Sequence, residues 1–476
     1  MGSIKTSIPH NLVKDLLNSY LHLKQKKHHA VKVETENDKP RIMIIGGGLS
    51  GFAAAKELTR HGINVLMIEA KNRIGGRIET VEFKDNAYVE LGAQFLHGIK
   101  DNALFEVCAS YGIEVKPYTR GDWAIYNMNG TQIDKNKLSD LVIQYKHLLK
   151  SLSMERHSDN TDRFTAEDLK NLDSKLSNQD DILSSDLGTL AKMISIKELN
   201  EEKLFEYKLG VNKKESESNF LVMNGFSKLI IGLLEDVRNT GLFQLVSSAQ
   251  ITKLDYTQDE VIAYTRNGES FNADAVICTL PLGVLKHHEV EFNPPLPHEK
   301  VEAINKLETA IQNKVILEFD EVFWNNELSH FVVLYDPTYQ AWVDVLNLQF
   351  FHQDKMPILV LSVYSNPGQD FPDDKYIVNH FVNLLKRIYP DTFRPLKNHW
   401  VTHWNDDPFA FGSYSYHPKG SSLEDNSEIA KPIGRLIFAG EHTHRSPSNM
   451  QAAYLSGLES ARQVIEQLNL LYTALP

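Results

Sequence analysis

The sequence predicts an α/β fold, and three observations carry that prediction. An apolar strand, Arg41–Ile45, runs into the turn Gly46-Gly47-Gly48-Leu49-Ser50-Gly51, and a helix-forming run follows at once over residues 52–58. A second strand, Asn64–Ile68, comes after Gly62 and ends in Glu69. Far downstream, an apolar strand over residues 273–281 is stopped by Pro281. A parallel sheet assembled from separated stretches of chain accounts for all three.

The glycine turn carries chemistry of its own. Gly46, Gly48 and Gly51 stand in G-x-G-x-x-G register. The first permits the tight turn, the second lets a pyrophosphate approach the backbone, and the third lets helix pack against strand. The helix N-terminus offers free N–H groups and the positive end of its dipole to phosphates. Glu69, at the end of the second strand, sits where an acidic residue holds ribose hydroxyls. Strand, turn, helix, strand and acid in that order read as a Rossmann-type dinucleotide site.

Composition narrows the remaining classes. At 476 residues the chain is long enough for two domains, and 42% apolar with 24% charged residues is a globular composition. A formal charge of -12 speaks against a nucleic-acid binder and suits a small cationic partner. Two cysteines, Cys108 and Cys278, exclude a disulfide framework and a cysteine-rich metal site, so no metal is expected. No apolar run reaches the roughly 18 residues that span a bilayer, and residues 1–7 lack the apolar core of a secretory signal. Met1-Gly2 with Thr6 fits the loose myristoylation pattern, which is too short and common to carry weight. A cytoplasmic protein with no membrane partner is the expectation.

Residues 1–39 read as an extension, with one amphipathic helix over 10–23 and a charged linker after it. The stretch 70–77, with Gly75-Gly76 bracketed by Arg73 and Arg77, suits a backbone closing over phosphates with Arg77 supplying charge. Val89-Glu90-Leu91-Gly92-Ala93-Gln94-Phe95-Leu96-His97-Gly98 is a strand running into a glycine-punctuated loop. Residues 131–217 are polar, with short helices expected over 136–150 and 164–172. From Phe220 the apolar signal returns as a strand, then a helix near residues 229–234. A hairpin over 250–256 and 260–265 and the strand before Pro281 follow. Pro294-Pro295-Leu296-Pro297 marks a boundary into a second lobe with strands over 314–319, 331–335 and 358–365.

Taken in order, these motifs resemble the flavin-containing amine oxidases, most closely the polyamine oxidase branch, which itself resembles the catalytic domain of lysine-specific histone demethylases. The resemblance rests on G-x-G-x-x-G, the Glu69-to-Arg77 block and Leu91-Gly92-Ala93 with His97-Gly98. Downstream it adds the strand at Lys314, Gly412-Ser413-Tyr414-Ser415-Tyr416, and residues 438–443 with Tyr454-Leu455-Ser456-Gly457. It runs from about residue 41 to the end. It implies an FAD-binding domain from residues 40–100, 220–287 and 431–476, and a substrate-binding domain of mixed sheet and helix from 101–219 and 288–430. It implies amine oxidation with O2 as acceptor, hydrogen peroxide as product, and imine hydrolysis to an aldehyde and a shortened amine. Polyamines are the expected substrates.

The resemblance also assigns residues. Gly46, Gly48, Gly51, Glu69, Arg77, Gly92, Ala93, Gln94, Ile251, Gly440, Glu441, Ala452 and Ala453 are expected at FAD, Ile251 through its backbone. Lys314 is expected to hold a water against the flavin, and His97 to stand at the tunnel rim as the indicator of substrate class. Tyr414, Tyr454 and Trp404 are expected to wall the substrate chain. Ala452 stands where the family has glycine, so cofactor affinity or tilt is expected to differ. With Cys108 and Cys278 far from that block, the FAD is expected to be non-covalent. An L-amino-acid oxidase, a histone-demethylase-like enzyme and a flavin-bound scaffold that does not turn over are the competing readings.

Overall fold

The computed structural model describes residues 40–83, 88–98, 102–118, 123–132, 219–336, 341–352, 356–365, 371–418 and 420–473. The helices expected at residues 10–23, 136–150 and 164–172 lie outside these.

Five parallel strands make the first sheet, in the order Leu436–Phe438, Ala275–Cys278, Arg41–Ile45, Asn64–Ile68, Phe243–Val246. The central strand is apolar on both faces because both are covered. Ile42 and Ile44 pack with the helical layer, while Met43 and Ile45 pack on the other side. Helix Leu49–Arg60 crosses the first face. Its small residues Ala53, Ala54 and Ala55 are fully buried, and they let the C-terminal helix Met450–Thr473 lie directly on it. A Cβ at Gly457 would stand 2.2 Å from the Ser50 carbonyl oxygen, so that crossing requires glycine. On the other face lie the predicted hairpin, Ile251–Asp255 with Val261–Thr265, and helix His298–Lys306.

The second large sheet is antiparallel over most of its width. Its order is Leu396–Val401, Glu308–Phe319, Ile358–Ser365, Ala341–Asn347, His330–Asp336, Trp123–Asn127, with Tyr414–Tyr416 paired to the head of Glu308–Phe319. Alternation along these strands separates two faces. Val315, Leu317, Phe319, Val343, Val345, Leu359, Leu361 and Val363 pack against Ile377, Phe381 and Leu384 of helix Asp374–Ile388. Ile316, Leu346, Ile358 and Val360 face the opposite way, among Val89, Tyr118, Leu221 and Met223.

Two features differ from the sequence reading. The lysine strand starts at Glu308, so Lys314 lies inside it rather than at its head. Residues 102–118 and 298–307, expected in the second lobe, contribute Leu104, Cys108, Ala303 and Ile304 to the packing around the parallel sheet. Their apolar faces are buried by the nearest available layer, which composition alone does not reveal.

Candidate active site

The glycine turn has the shape of a phosphate cradle. A Cβ at Gly51 would stand 2.2 Å from the Gly46 carbonyl oxygen, and one at Gly46, where φ is +108°, would stand 2.5 Å from Thr279 Oγ1. At Gly48, by contrast, a Cβ would meet nothing within 4 Å. Two glycines thus serve packing, and the third borders open space. No side chain caps helix Leu49–Arg60 and its first turn holds no acid, so its N-terminal N–H groups face that space uncommitted to a carboxylate. Gly75 closes over the turn, donating from N to the Gly47 carbonyl at 2.8 Å. Arg73 buttresses this second loop through the Gly76 carbonyl (2.9 Å) and Glu79 (2.6 Å).

Glu69 is buried beside the cradle and accepts from Gly47 N and Lys71 N, both at 2.7 Å. Burial pushes its carboxyl upward against those two N–H groups. The loop leading to Ile251 is tied to the same place, with Ala249 N donating to Glu69 O at 3.0 Å. Ile251 itself is buried at the head of its strand. These residues fit a dinucleotide.

On the other side of the cradle, Arg77 Nη1 donates to Glu441 Oε1 at 2.9 Å and to the Ser413 carbonyl at 3.1 Å. Glu441 is buried and also accepts from Ser415 Oγ at 2.5 Å and Ser448 N at 2.9 Å. Burial pushes its carboxyl upward, but Arg77 and the other donors outweigh it and hold it below the usual range. Gly440, at φ +144°, donates from N to Ser456 Oγ at 3.0 Å, and Ser456 contacts Ser50 Oγ at 3.3 Å. The C-terminal block is thereby locked onto the first helix. Ala452 is buried, with its N–H capped by Asn449 Oδ1 at 2.8 Å, and Ala453 N donates to the Asn449 carbonyl at 3.2 Å. The extra methyl of Ala452 therefore sits inside a capped first turn.

Lys314 is the most enclosed cation of the site, 7% exposed. Its Nζ donates to the carbonyls of Glu90 and Gly92, each at 2.7 Å, and to Gln94 Oε1 at 2.5 Å. An ammonium has three N–H donors, and all three are used. A water placed here must displace one acceptor, and Gln94 is the only one of the three on a movable side chain. Burial pulls the Lys314 ammonium down to about 7 despite the opposing effect of Glu90. Burial likewise raises the Glu90 carboxyl to about 7, against donors Phe226 N (2.7 Å) and Thr80 Oγ1 (2.9 Å). Two ionisable groups of opposite sign are thus buried together, each pushed toward its neutral form.

Trp404 walls this cluster. Its Nε1 donates to the Leu91 carbonyl at 3.1 Å, and its backbone N to Asn313 Oδ1 at 2.8 Å. Gly92 is compelled here, since a Cβ would stand 1.9 Å from the Arg77 carbonyl, which also accepts from Ala93 N at 3.1 Å. Tyr414 pairs with Ala310, on the same strand and face as Lys314, and burial raises its phenol to about 12. His97 closes strand Phe95–His97, with Nδ1 3.1 Å from Asn219 Oδ1, and lines a small crevice with Asn102, Asn449, Met450 and Gln451. So the structure gathers Lys314, Gln94, Gly92 and Trp404, and sets His97 against the start of the C-terminal helix.

Tyr454 is not part of that gathering. It is 7% exposed within the helical layer, packed with the cluster that holds Leu104, Cys108 and Ala53. Burial raises its phenol, and the charges that act on it are those of Lys56, Glu57 and Arg462 on the far half of that layer. Helical phase decides this, for the face of Met450–Thr473 that carries Tyr454 meets the first helix. Cys108 and Cys278 are buried thiols, both raised to about 12 chiefly by burial.

Sequence reasoning left several working residues unassigned. Glu90 stood in the quoted strand without a role. Asn313 and Thr402, which hold Trp404 N and Lys314 N, carried no motif. Ser415 and Ser448 lay in or beside recognised segments, yet their bonds to Glu441 depend on tertiary contact.

Comparison with known proteins gives a family match over most of the chain. The family model described as Flavin containing amine oxidoreductase matches residues 49–465. Polyamine oxidase 2 of Arabidopsis thaliana is 28% identical over 89% of this chain and 87% of its own. Polyamine oxidase 4 of Oryza sativa subsp. japonica is 28% identical over 89% and 88%. Lysine-specific histone demethylase 1 homolog 2 of Arabidopsis thaliana is also 28% identical, over 96% of this chain, but the chain spans only 62% of that relative.

Proposed function

The chain belongs to the flavin containing amine oxidoreductases, with FAD as cofactor, and on that premise we propose that it oxidises a polyamine at a carbon beside a secondary amine. Bound FAD would supply hydride acceptance and electron transfer to O2, with hydrogen peroxide as the product. The chain's own residues do the rest. Gly48 and the first helix would receive the pyrophosphate, Glu69 the ribose, and Arg77 with Glu441 the region between phosphates and flavin. The observation that carries the reading is the buried Lys314 with Gln94, Gly92 and Trp404 around it. That is a buried amine held by two backbone carbonyls and one movable side-chain amide.

The substrate nitrogen must be neutral to react, because an ammonium has no lone pair to support imine formation. Activity therefore rises with pH until that nitrogen is deprotonated. Lys314 positions a water once Gln94 yields its bond, and His97 hydrogen-bonds a substrate amine at the crevice. Trp404 and Tyr414 bound the carbon chain by apolar contact. The polyamine reading is supported by the two polyamine oxidases, which align over most of their length.

The test is anaerobic mixing of the FAD-loaded protein with spermine, spermidine, their N-acetyl forms, a monoamine, an L-amino acid and a methyl-lysine peptide. Loss of flavin absorbance is followed. Bleaching by polyamines alone is expected. Bleaching by the peptide alone would favour a demethylase-like activity, and bleaching by none would mean a flavin-bound scaffold. In Lys314→Met, flavin turnover falls by an order of magnitude or more, and an unchanged rate overturns the role of that lysine.

A further inference from the structure

We propose that Asn313 is a positioning residue for the reaction, holding the Trp404 wall at a fixed place beside Lys314. The inference rests on the amine-oxidase reading above and deepens it. It begins where two strands part. Leu396–Val401 runs antiparallel to Glu308–Phe319, and their register ends at Val315 opposite Val401. One rung further, Thr402 N donates to the Lys314 carbonyl at 3.0 Å, while Lys314 N donates to the Thr402 hydroxyl at 2.8 Å. A side chain has replaced one half of the ladder. Beyond that rung the chain leaves the sheet, and the N–H of Trp404 is met by a side chain too. Asn313 Oδ1 accepts from Trp404 N at 2.8 Å and from the Thr402 hydroxyl at 3.4 Å.

Asn313 is fully buried, and its partners leave its amide one orientation. Trp404 N–H can only donate, so Oδ1 must face it and Nδ2 must face away. There Nδ2 donates to Asn405 Oδ1 at 2.7 Å, and Asn405 Nδ2 donates to Asp406 Oδ1 at 2.6 Å. The direction of each bond is therefore set from both ends. Asn313 and Lys314 are neighbours on one strand, so their side chains take opposite faces of the sheet. The lysine tip and the indole nevertheless reach the same segment. Lys314 Nζ donates to the Glu90 and Gly92 carbonyls, and Trp404 Nε1 donates to the Leu91 carbonyl between them. Lysine and tryptophan are thus braced twice, by their backbones through Asn313 and Thr402 and by their tips through residues 90–92. Asn313 reaches Trp404 with a side chain, so this brace can be removed without altering either residue that it aligns.

The experiment compares FAD-loaded wild type, Asn313→Ala, Trp404→Leu and the double variant. Each is mixed anaerobically with spermine and with spermidine, and the apparent Kd and limiting rate of flavin reduction are measured. Without its anchor the wall holds its working place for only a fraction of the time. The apparent Kd rises as the inverse of that fraction, about 10-fold in Asn313→Ala, and the limiting rate falls by less. With Trp404 already leucine, the same change raises Kd by no more than about twofold, because the two residues act as one unit. Equal rises in both backgrounds, or no rise in either, overturn the proposal. Asn405→Ala, at a partly exposed position, frees Asn313 Nδ2 and decides the case if Asn313→Ala does not fold. It raises Kd about threefold with the same dependence on Trp404, and an additive or absent effect overturns the proposal. Solvent exchange of the Trp404 indole N–H, assigned by NMR from its loss in Trp404→Phe, needs no amine. That exchange accelerates in Asn313→Ala and in Asn405→Ala. If no amine bleaches the flavin but the exchange accelerates, the oxidase reading falls and the anchor stands. If amines bleach the flavin and neither exchange nor Kd moves, the anchor falls and the oxidase reading stands.

Discussion

Replacing Glu90 by glutamine tests the electrostatics of the buried lysine most directly. The amide keeps the shape, accepts from Phe226 N as the carboxylate does at 2.7 Å, and can donate to Thr80 Oγ1, which the carboxylate accepts from at 2.9 Å. What it removes is a titratable group. Glu90 is raised from 4.5 to about 7 by burial. Its folded pKa lies above its unfolded one, so the folded state binds the extra proton and wild-type stability falls as pH rises from 4.5 to about 7. That shift corresponds to roughly 3 kcal/mol. Lys314, lowered from 10.5 to about 7, has the opposite window, with stability lost below it and regained from about 7 to 10.5. In the variant the first window disappears, and Lys314, deprived of a negative neighbour that raises it, titrates still lower. Thermal melting against pH therefore gives equal stability near pH 4.5. The variant gains as pH approaches 7, by up to about 3 kcal/mol. The lysine-dependent limb of the pH–rate profile moves acidic by about one unit, the scale of a 1.4 kcal/mol charge interaction. A stability difference that is constant with pH, or an unmoved rate profile, refutes the coupling of the two groups.

The other predictions concern cofactor and packing. Gly51→Ala places a methyl 2.2 Å from a backbone oxygen, so it lowers the melting temperature of apo and holo protein alike. Gly48→Val enters open space, so the apoprotein melts as wild type while FAD affinity falls at least tenfold by fluorescence titration. Arg77→Met leaves Glu441 buried without its counter-charge, a cost of about 3–5 kcal/mol. Glu441's contribution is present above its unfolded value of 4.5 and lost as pH falls through its lower folded value. The variant accordingly unfolds at a higher pH on acidification. Tyr454→Leu lowers the melting temperature without changing KM for any amine, whereas Tyr414→Ala raises KM. A KM effect at Tyr454 would show that the helical-layer position misassigns it.

The legible parts of the site were those with a covalent-scale constraint. A glycine with no room for a Cβ leaves a fixed signature, and Gly46 and Gly51 were legible by register, while Gly92 came only with the family resemblance. An alternating strand likewise announces its period, so the hairpin and the lysine strand were found, although the start of the latter was read six residues late. What sequence cannot give is phase relative to a distant partner. Tyr454 follows two recognised alanines, yet its helix turns it into the layer with Cys108. Glu90 looked like an ordinary strand acid until Lys314, 224 residues away, was seen against its own carbonyl.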